Sequence, residues 1–463
     1  MNNQNQIQNV SDSVDVPDDG GNSPSNSSGQ GKKNANPSRK FLFISVDALA
    51  VDLAWQLSKE GNEVKMYIRE SESKDIADGF VEKVDEWATY LDWADVIVVD
   101  SCGRGALADD LRKKGKLVIG GSVYTDKLEM DREFGQTEMK AVGMNVLPHW
   151  DFEDFDEGIQ FIETHPMRYV FKPSGEESLD WYLKSLLFLG QEEDGKDILA
   201  VMKHNQESWS EKIKEFQLQK FATGIEVAVS AFFNGHDFIY PVNVNFEHKK
   251  LFPGDIGPYT GEMGTLMYWD ETNNLFKATL LRMQDRLRES KYIGCIDINC
   301  IVNGKGIYPL EFTTRFGYPT ISIMIEGVQS PWGEFLYALA KGEDYKLKTR
   351  KGFQLGVVVA VPPFPYYDKE QYKIYKDMSI VFKKPNLAGV HIGDVKLEDG
   401  DWKLTGDAGY ALIITGSDNT VEGARKEAYH RIENIILQNM FYRTDIGLKW
   451  GRESDELQAW GLL

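Results

Sequence analysis

Large apolar side chains are almost missing from residues 1 to 39, where Asn, Ser, Gln, Gly and Asp predominate. Such a stretch cannot bury enough surface to offset the entropy of ordering, so it predicts a disordered head. The pattern changes at Lys40. Phe41-Leu-Phe-Ile-Ser-Val46 is an apolar run suited to a buried parallel strand, and Leu49, Leu53 and Leu57 give Ala48 to Lys59 helical spacing. Val64 to Ile68, Val96 to Val99 and Lys116 to Ile119 read as further strands, with helices expected over Val81 to Leu91 and Ala106 to Lys114. Strands alternating with helices imply a parallel sheet with right-handed crossovers.

Beyond this unit, helical spacing from Asp126 to Val142 precedes Arg168-Tyr-Val-Phe-Lys172-Pro, a strand that ends in a lysine. Leu183 to Leu189, Ile198 to Met202 and Glu207 to Glu215 are expected to build a small α+β lobe. Phe216 to Phe221, Glu226 to Asn234, Phe238 to Asn245, Ile293 to Val302 and Gly306 to Phe312 alternate as antiparallel strands do. Short strands at 355–362, 380–382, 390–397, 402–404 and 410–415, then a helix from Val421 to Asn439, close the chain. The pattern thus divides the chain into the head (1–39), an α/β unit (40–120), a central unit (121–350) with a lobe at about 150–222, and a closing α+β unit (351–463).

At 463 residues the chain exceeds what one core supports, in keeping with several units. Its net charge of −20 argues against a broad phosphate-coating surface for nucleic acid. No signal peptide or membrane span is read, and the three cysteines, Cys102, Cys295 and Cys300, have no metal-ligand spacing. Free thiols in a reducing, cytoplasmic setting are therefore expected.

Two segments carry chemistry. Gly294-Cys-Ile-Asp297-Ile-Asn299 and Tyr308-Pro-Leu-Glu311-Phe-Thr-Thr-Arg315 read as strands joined by an Asn303 to Gly306 turn, which would bring Asp297 and Glu311 onto one face. Paired carboxylates suit Mg²⁺, and Arg315 would offer charge to an anionic intermediate. Upstream, Glu247-His-Lys-Lys250 precedes Gly254-Asp-Ile-Gly-Pro-Tyr-Thr-Gly-Glu-Met-Gly264, whose glycines predict a loop that approaches a ligand closely.

In this order the pieces resemble phosphoribosylamine–glycine ligase (glycinamide ribonucleotide synthetase), an ATP-grasp family. Its Asp-His-Lys and Gly-Pro-Asn-Thr-Gly-Gly-Met-Gly are matched by Glu247-His248-Lys249 and Gly257-Pro-Tyr-Thr-Gly-Glu-Met-Gly264. Its Glu-Phe-Asn-x-Arg-Phe-Gly is matched by Glu311-Phe-Thr-Thr-Arg315-Phe-Gly317, and Gly389 to Gly393, Thr420 to Tyr429 and Tyr442 to Gly447 resemble its closing segment. The resemblance implies an ATP-grasp fold, α/β and α+β, with an N-terminal parallel-sheet domain and a small β-rich C-terminal domain.

It also implies roles. Lys172, Glu226, Gln219, Lys220, Phe221 and Arg132 would bind ATP: Lys172 at the phosphates, Glu226 at the ribose, and Gln219 to Ala222 at the hinge framing the adenine. Glu311, Asp297 and Thr313 would hold Mg²⁺, for which Mn²⁺ can substitute; Thr313 stands where the family has an Asn. Asp255, Gly257, Pro258, Thr260, Gly261, Met263 and Gly264 would line the substrate loop, and Arg315, Lys249 and His248 would act in catalysis. Trp269 is a stacking candidate near that loop.

The chain departs from the family at phosphate-binding positions. Val46-Asp47-Ala48-Leu49 replaces the Gly-rich turn that holds the phosphoribosyl group, and Asp100-Ser-Cys-Gly-Arg104-Gly105 replaces a later Gly-Pro-Glu, leaving Arg104 as an anion candidate. After Lys172, the acidic Pro173 to Asp180 segment replaces a Gly-rich loop, with Lys184 and Lys203 as nearby cations. The expected function is ATP-dependent ligation of an amino-acid carboxylate, glycine or another, to an amine. The acceptor is left open between phosphoribosylamine and a different amine, such as a nucleotide or a modified nucleobase. The alternative is a binding or scaffold protein that kept the fold and lost turnover.

Overall fold

The first apolar run pairs as its spacing predicts. In the computed structural model, which describes residues 37–174 and 186–463, β1 (Lys40–Ser45), β2 (Glu63–Ile68), β3 (Glu82–Lys83), β4 (Val96–Val99) and β5 (Val118–Ile119) form a parallel sheet of order β3-β2-β1-β4-β5. Alternation along β1 sends Phe41 and Phe43 into the main core and Leu42 and Ile44 into a second core on the opposite face. Helices α1 (Val51–Lys59) and α2 (Gly105–Lys113) follow β1 and β4.

The helix expected over Val81 to Leu91 does not form. Residues 82–83 are the edge strand β3, and Trp87–Tyr90 is one 3₁₀ turn. Trp87, Tyr90, Leu91 and Trp93 instead cover the core beside β1 and β4, so the apolar spacing there reports an aromatic cover. The expected helix from Asp126 to Val142 is two helices, α3 (Val123–Met130) and α4 (Arg132–Ala141). Asp131 between them is extended and its carboxylate accepts the Phe134 N–H, so it caps the second helix.

A lobe follows: β6 (His149–Phe152), α5 (Phe155–Thr164), β7 (Tyr169–Ser174), β8 (Phe188–Leu189), the helix Lys196–Ser210 and β9 (Glu215–Lys220), with strand order β6-β9-β7-β8. Tyr169 and Phe171 of β7 enter the lobe's own core with Phe155, Ile198 and Phe216. The expectations for residues 1–36 and for 175–185, Lys184 included, lie outside the described residues.

The largest sheet is antiparallel. It contains β10 (Ile225–Asn234), β11 (Phe238–Glu247), β14 (Gly264–Asp270), β15 (Ile293–Asn303), β16 (Gly306–Thr313), β17 (Phe353–Val359), β19 (Val390–Ile392) and β22 (Leu412–Asp418), in the order β16-β15-β10-β11-β14-β17-β22-β19. Through β14 and β17 it runs across residue 350 without a break. The glycine-rich stretch expected as a loop is in fact a hairpin, β12 (Lys250–Phe252) paired with β13 (Ile256–Tyr259).

A small sheet of β18 (Ser379–Phe382), β20 (Val395–Glu398), β21 (Asp401–Leu404) and β23 (Ile435–Ile436) completes the β-rich end. The strand expected over 390–397 is split at Gly393-Asp394, and the helix expected to reach Asn439 ends at Ile432 because β23 needs the next residues to pair with β18. Among the described residues no helix is long and apolar enough to cross a membrane.

Candidate active site

Period-two alternation places the chemistry on one end of the large sheet. On β10 and β11, Val227, Val229, Val244 and Phe246 face the main core. Their neighbours Glu226, Ser230, Asn245 and Glu247 therefore point to the other face. There Ser230 lies opposite Asp297, and β15 meets β16 with Asp297 opposite Thr313 and Asn299 opposite Glu311. Asp297 and Glu311 thus share a face, as expected, but on a diagonal.

Lys249 reaches into this face. Its Nζ lies 2.8 Å from Glu226, 3.2 Å from Glu247 and 3.7 Å from Glu311. Burial opposes its charge, but the three glutamates outweigh burial and hold the lysine protonated well above its ordinary value. The Asn299 amide donates to Glu226 at 3.1 Å and to Glu247 at 3.0 Å, fixing both carboxylates. Asp297 accepts from the Ser230 hydroxyl and from Asn245 at 3.1 Å. Burial, with Glu247 nearby, lifts Asp297 to about 7 despite those bonds.

Glu262 belongs to the same group. It is 5 % exposed, its Oε1 has no hydrogen-bond partner, and burial followed by Glu247 pushes its carboxyl well above the usual range. Sequence reasoning missed it, although it stands in the glycine position of the matched motif.

Two cations approach from the lobe side. Because Tyr169 and Phe171 fill the lobe core, Lys172 points the other way, where it is 7 % exposed. Burial pushes its ammonium down to about 7, and the charge of Arg132 adds to that effect. Arg132, at the start of α4, is half-buried, and its buried Nε has no hydrogen-bond partner among the described residues. Among the described residues neither cation has a carboxylate within 4 Å. Gln219 on β9 is 1 % exposed with an unpartnered Nε2, Lys220 is exposed, and Phe221 stacks under the Arg168 guanidinium at 3.6 Å.

These donors suit a polyphosphate and a base. Buried charges and N–H groups without partners are costly unless a ligand supplies the acceptors. For a divalent ion, Glu311 is more than half exposed, and Asn299 opposite it has an unpartnered buried Oδ1. Mg²⁺ commonly takes one or two protein oxygens together with phosphates and water, so no protein cage is required. Among the described residues no group of three or more His, Cys, Asp or Glu side chains is arranged to hold a metal. Asn299, which the sequence reading left out, is thus the better-placed oxygen beside Glu311, while Asp297 is engaged by Ser230 and Asn245.

Other expected residues sit elsewhere. His248 alternates away from Glu247 and Lys249; it is 5 % exposed, both its ring nitrogens are unpartnered, and burial pushes it down to about 4, with Arg443 the next cause. Asp255 is in an ion cluster with Lys449 and, at 3.0 Å, Arg443. Gly257 has φ +86, and a Cβ there would strike the Phe252 ring at 2.6 Å. Pro258 lies in β13, and Thr260 donates both N–H and hydroxyl to the Lys249 carbonyl, at 2.8 and 2.9 Å. Gly261 is open, Met263 is buried in the fold, and Gly264 begins β14. Trp269 stacks on no ring among the described residues; its buried Nε1 lies beside Gly327 without a hydrogen-bond partner. Arg315 pairs with Glu129 of α3 at 3.1 Å, a carboxylate that also accepts the Thr314 N–H at 2.7 Å.

The pKa of Lys172 gives a measurable expectation. Near pH 8 the lysine is largely neutral, and a bound polyphosphate restores its charge, so nucleotide binding takes up about one proton there and almost none near pH 6. Affinity then weakens as pH rises through 7. Calorimetry in buffers of different ionisation heat reads the proton count, and equal counts at the two pH values would exclude Lys172 as the polyphosphate contact.

The chain has relatives among known proteins. Residues 130–321 match the family model of the phosphoribosylglycinamide synthetase ATP-grasp (A) domain, and residues 354–449 match that of the C domain of the same synthetase. The chain is 24 % identical over 370 residues to phosphoribosylamine–glycine ligase of Streptococcus pneumoniae, covering 76 % of this chain and 82 % of that one. Its fold is similar to the crystal structure of phosphoribosylamine–glycine ligase from Thermotoga maritima, with TM-score 0.67, 20 % identity, 88 % of this chain and 100 % of that chain. It is also similar to N5-carboxyaminoimidazole synthetase from Staphylococcus aureus complexed with ADP, with TM-score 0.54, 14 % identity, 85 % of this chain and 97 % of that chain.

Proposed function

Because the chain belongs to the phosphoribosylglycinamide synthetase family of ATP-grasp ligases, we propose that it activates glycine or another amino acid as an acyl phosphate and joins it to an amine acceptor. The observation that carries this reading is the meeting of Lys172 and Arg132, neither with a carboxylate within 4 Å among the described residues, with the carboxylate face that surrounds Lys249. A polyphosphate brings the charge that the two cations lack, and the glutamates offer oxygen to its counter-ion.

The chain's own residues have separable tasks. Lys172 and Arg132 bind and orient the phosphates, Gln219 and the Lys220 and Phe221 hinge hold the base, and Glu226 accepts from the ribose. Glu311 and Asn299 would hold Mg²⁺, which when bound neutralises charge between adjacent phosphates. Lys249 is a movable counter-charge: as the nucleotide and its ion arrive, it leaves part of its carboxylate shell for the transferred phosphoryl group. Arg315, held by Glu129, presents its remaining N–H groups to the acyl phosphate. The attacking amine displaces phosphate, and the proton it loses goes to that leaving group or to solvent. Catalysis in this arrangement is positioning and charge stabilisation.

ADP release with Mg·ATP, glycine and a panel of amines tests the reading. Glu311→Ala is expected to lower the rate about a hundredfold with little change in stability, since this side chain is more than half exposed. ATP binding without ADP release for any amine would instead favour a binding or scaffold protein.

A further inference from the structure

The ligase reading leaves the acceptor open, and the N-terminal sheet bears on it. In the order β3-β2-β1-β4-β5 the chain leaves β1 for one side and β4 for the other, so the crevice beyond the carboxyl ends of β1 and β4 is where ligands of such sheets bind. A phosphate in that place needs free backbone N–H groups at the turn and at the helix start. Here five of those N–H groups are already taken by side chains.

Ser101 Oγ accepts from Val46 at 2.9 Å, Ser45 Oγ from Ala48 at 2.9 Å, and Asp100 from Ala50 at 3.0 Å. On the β4 side, Asp126 accepts from Gly103 at 3.0 Å and from Gly105 at 2.6 Å, so the glycines flanking Arg104 serve an internal carboxylate. Three acids therefore stand at the crevice: Asp100 and Asp126, which hold N–H groups, and Asp47.

Asp47 is open to solvent though hemmed in by protein, and it has no ion pair within 4 Å among the described residues. Arg315, whose field reaches it, is held by Glu129 at 3.1 Å. The Asp47 charge also reaches the hydroxyl of Tyr318, whose ring lies 4.7 Å from that of Tyr410, and half-buried Asp394 is bonded to the Tyr410 backbone. The Tyr410 hydroxyl and Glu262 Oε1 are both buried without partners. Carboxylates and aromatic faces attract ammonium groups and repel phosphate.

We propose that the acceptor is a phosphate-free amine with a second ammonium group, which Asp47 holds in the crevice beyond β1 and β4. This inference rests on the ligase reading, and the test separates the two. ADP release from Mg·ATP and glycine is compared with 1,2-diaminoethane and with O-phosphoethanolamine as acceptors, with hydroxylamine as a small trap for the acyl phosphate. Ribose 5-phosphate is added separately in thermal melts.

The diamine is expected to give about tenfold more ADP than the phosphate ester, and Asp47→Asn to raise the KM for the diamine about tenfold more than it lowers kcat. Ribose 5-phosphate is expected to leave the melting temperature unchanged. ADP release with hydroxylamine combined with equal or better use of O-phosphoethanolamine, or stabilisation by ribose 5-phosphate, overturns the inference alone. No ADP with hydroxylamine overturns the ligase reading and this inference with it.

Discussion

Lys172→Met is expected to lower kcat/KM for ATP by about a hundredfold to a thousandfold and, at the same time, to stabilise the fold by about 1 kcal/mol. The two effects have one cause. Lys172 is 7 % exposed on a strand whose neighbouring residues fill a core, and Arg132 stands beside it with no described carboxylate close enough to pair with either. Without nucleotide the ammonium loses hydration and gains no partner; methionine fills similar space at no such cost. With nucleotide, the charge faces phosphates in a site of low dielectric. Urea midpoints and ATP kinetics on the same variant check the pair of effects. Lower stability with unchanged ATP kinetics would make Lys172 a structural residue.

Lys249→Met is expected to act in the opposite sense on stability, costing about 3 kcal/mol, because removal of one partner leaves Glu226, Glu247 and Glu311 facing one another uncompensated. The deficit depends on pH. Without the lysine, half-buried Glu247 has a native pKa further above its unfolded value, and such a group contributes most while it is protonated. The loss is therefore smaller at pH 5 than at pH 8. Turnover is expected to fall by at least about a hundredfold at both. Denaturant melts of variant and parent at the two pH values test this. A deficit independent of pH would mean that the lysine contributes packing alone.

How much of this was legible beforehand differs by residue, for physical reasons. Lys172, Glu311 and Arg315 were singled out through matched motifs, and of their geometry only the strand under Lys172 and the hairpin under Glu311 could be read from local pattern. The sharing of a face by Asp297 and Glu311 does not follow from the Asn303 to Gly306 turn alone. The register that the turn sets, with Cys300 opposite Pro309, would put Glu311 opposite Ile298 on the core face, and a bulge at Leu310 brings it opposite Asn299 instead. The tripod around Lys249 was not readable, since its three glutamates come from different strands and only pairing brings them together. His248 could have been placed: if Lys249 faces the glutamates, its neighbour in an extended chain faces away. The helix expected over Val81 to Leu91 failed because spacing cannot separate a helix from aromatics laid over a sheet. The hairpin within the glycine-rich stretch was hidden because glycine permits both loop and strand.

The passage of the large sheet across residue 350 has a practical meaning for anyone dividing the chain. The two family matches leave a gap in this region, between residues 321 and 354, which invites a cut there. Such a cut would strip β17 from β14 and leave the N–H and C=O groups of Gly264 to Tyr268 that face β17 unmet, backed by the buried side chains of Leu266 and Met267. A bare, apolar edge of that kind recruits strands from other molecules. Fragments ending near residue 350 should therefore polymerise, and the smallest unit that can be purified and assayed is one that carries β17, β19 and β22 along with the carboxylate face.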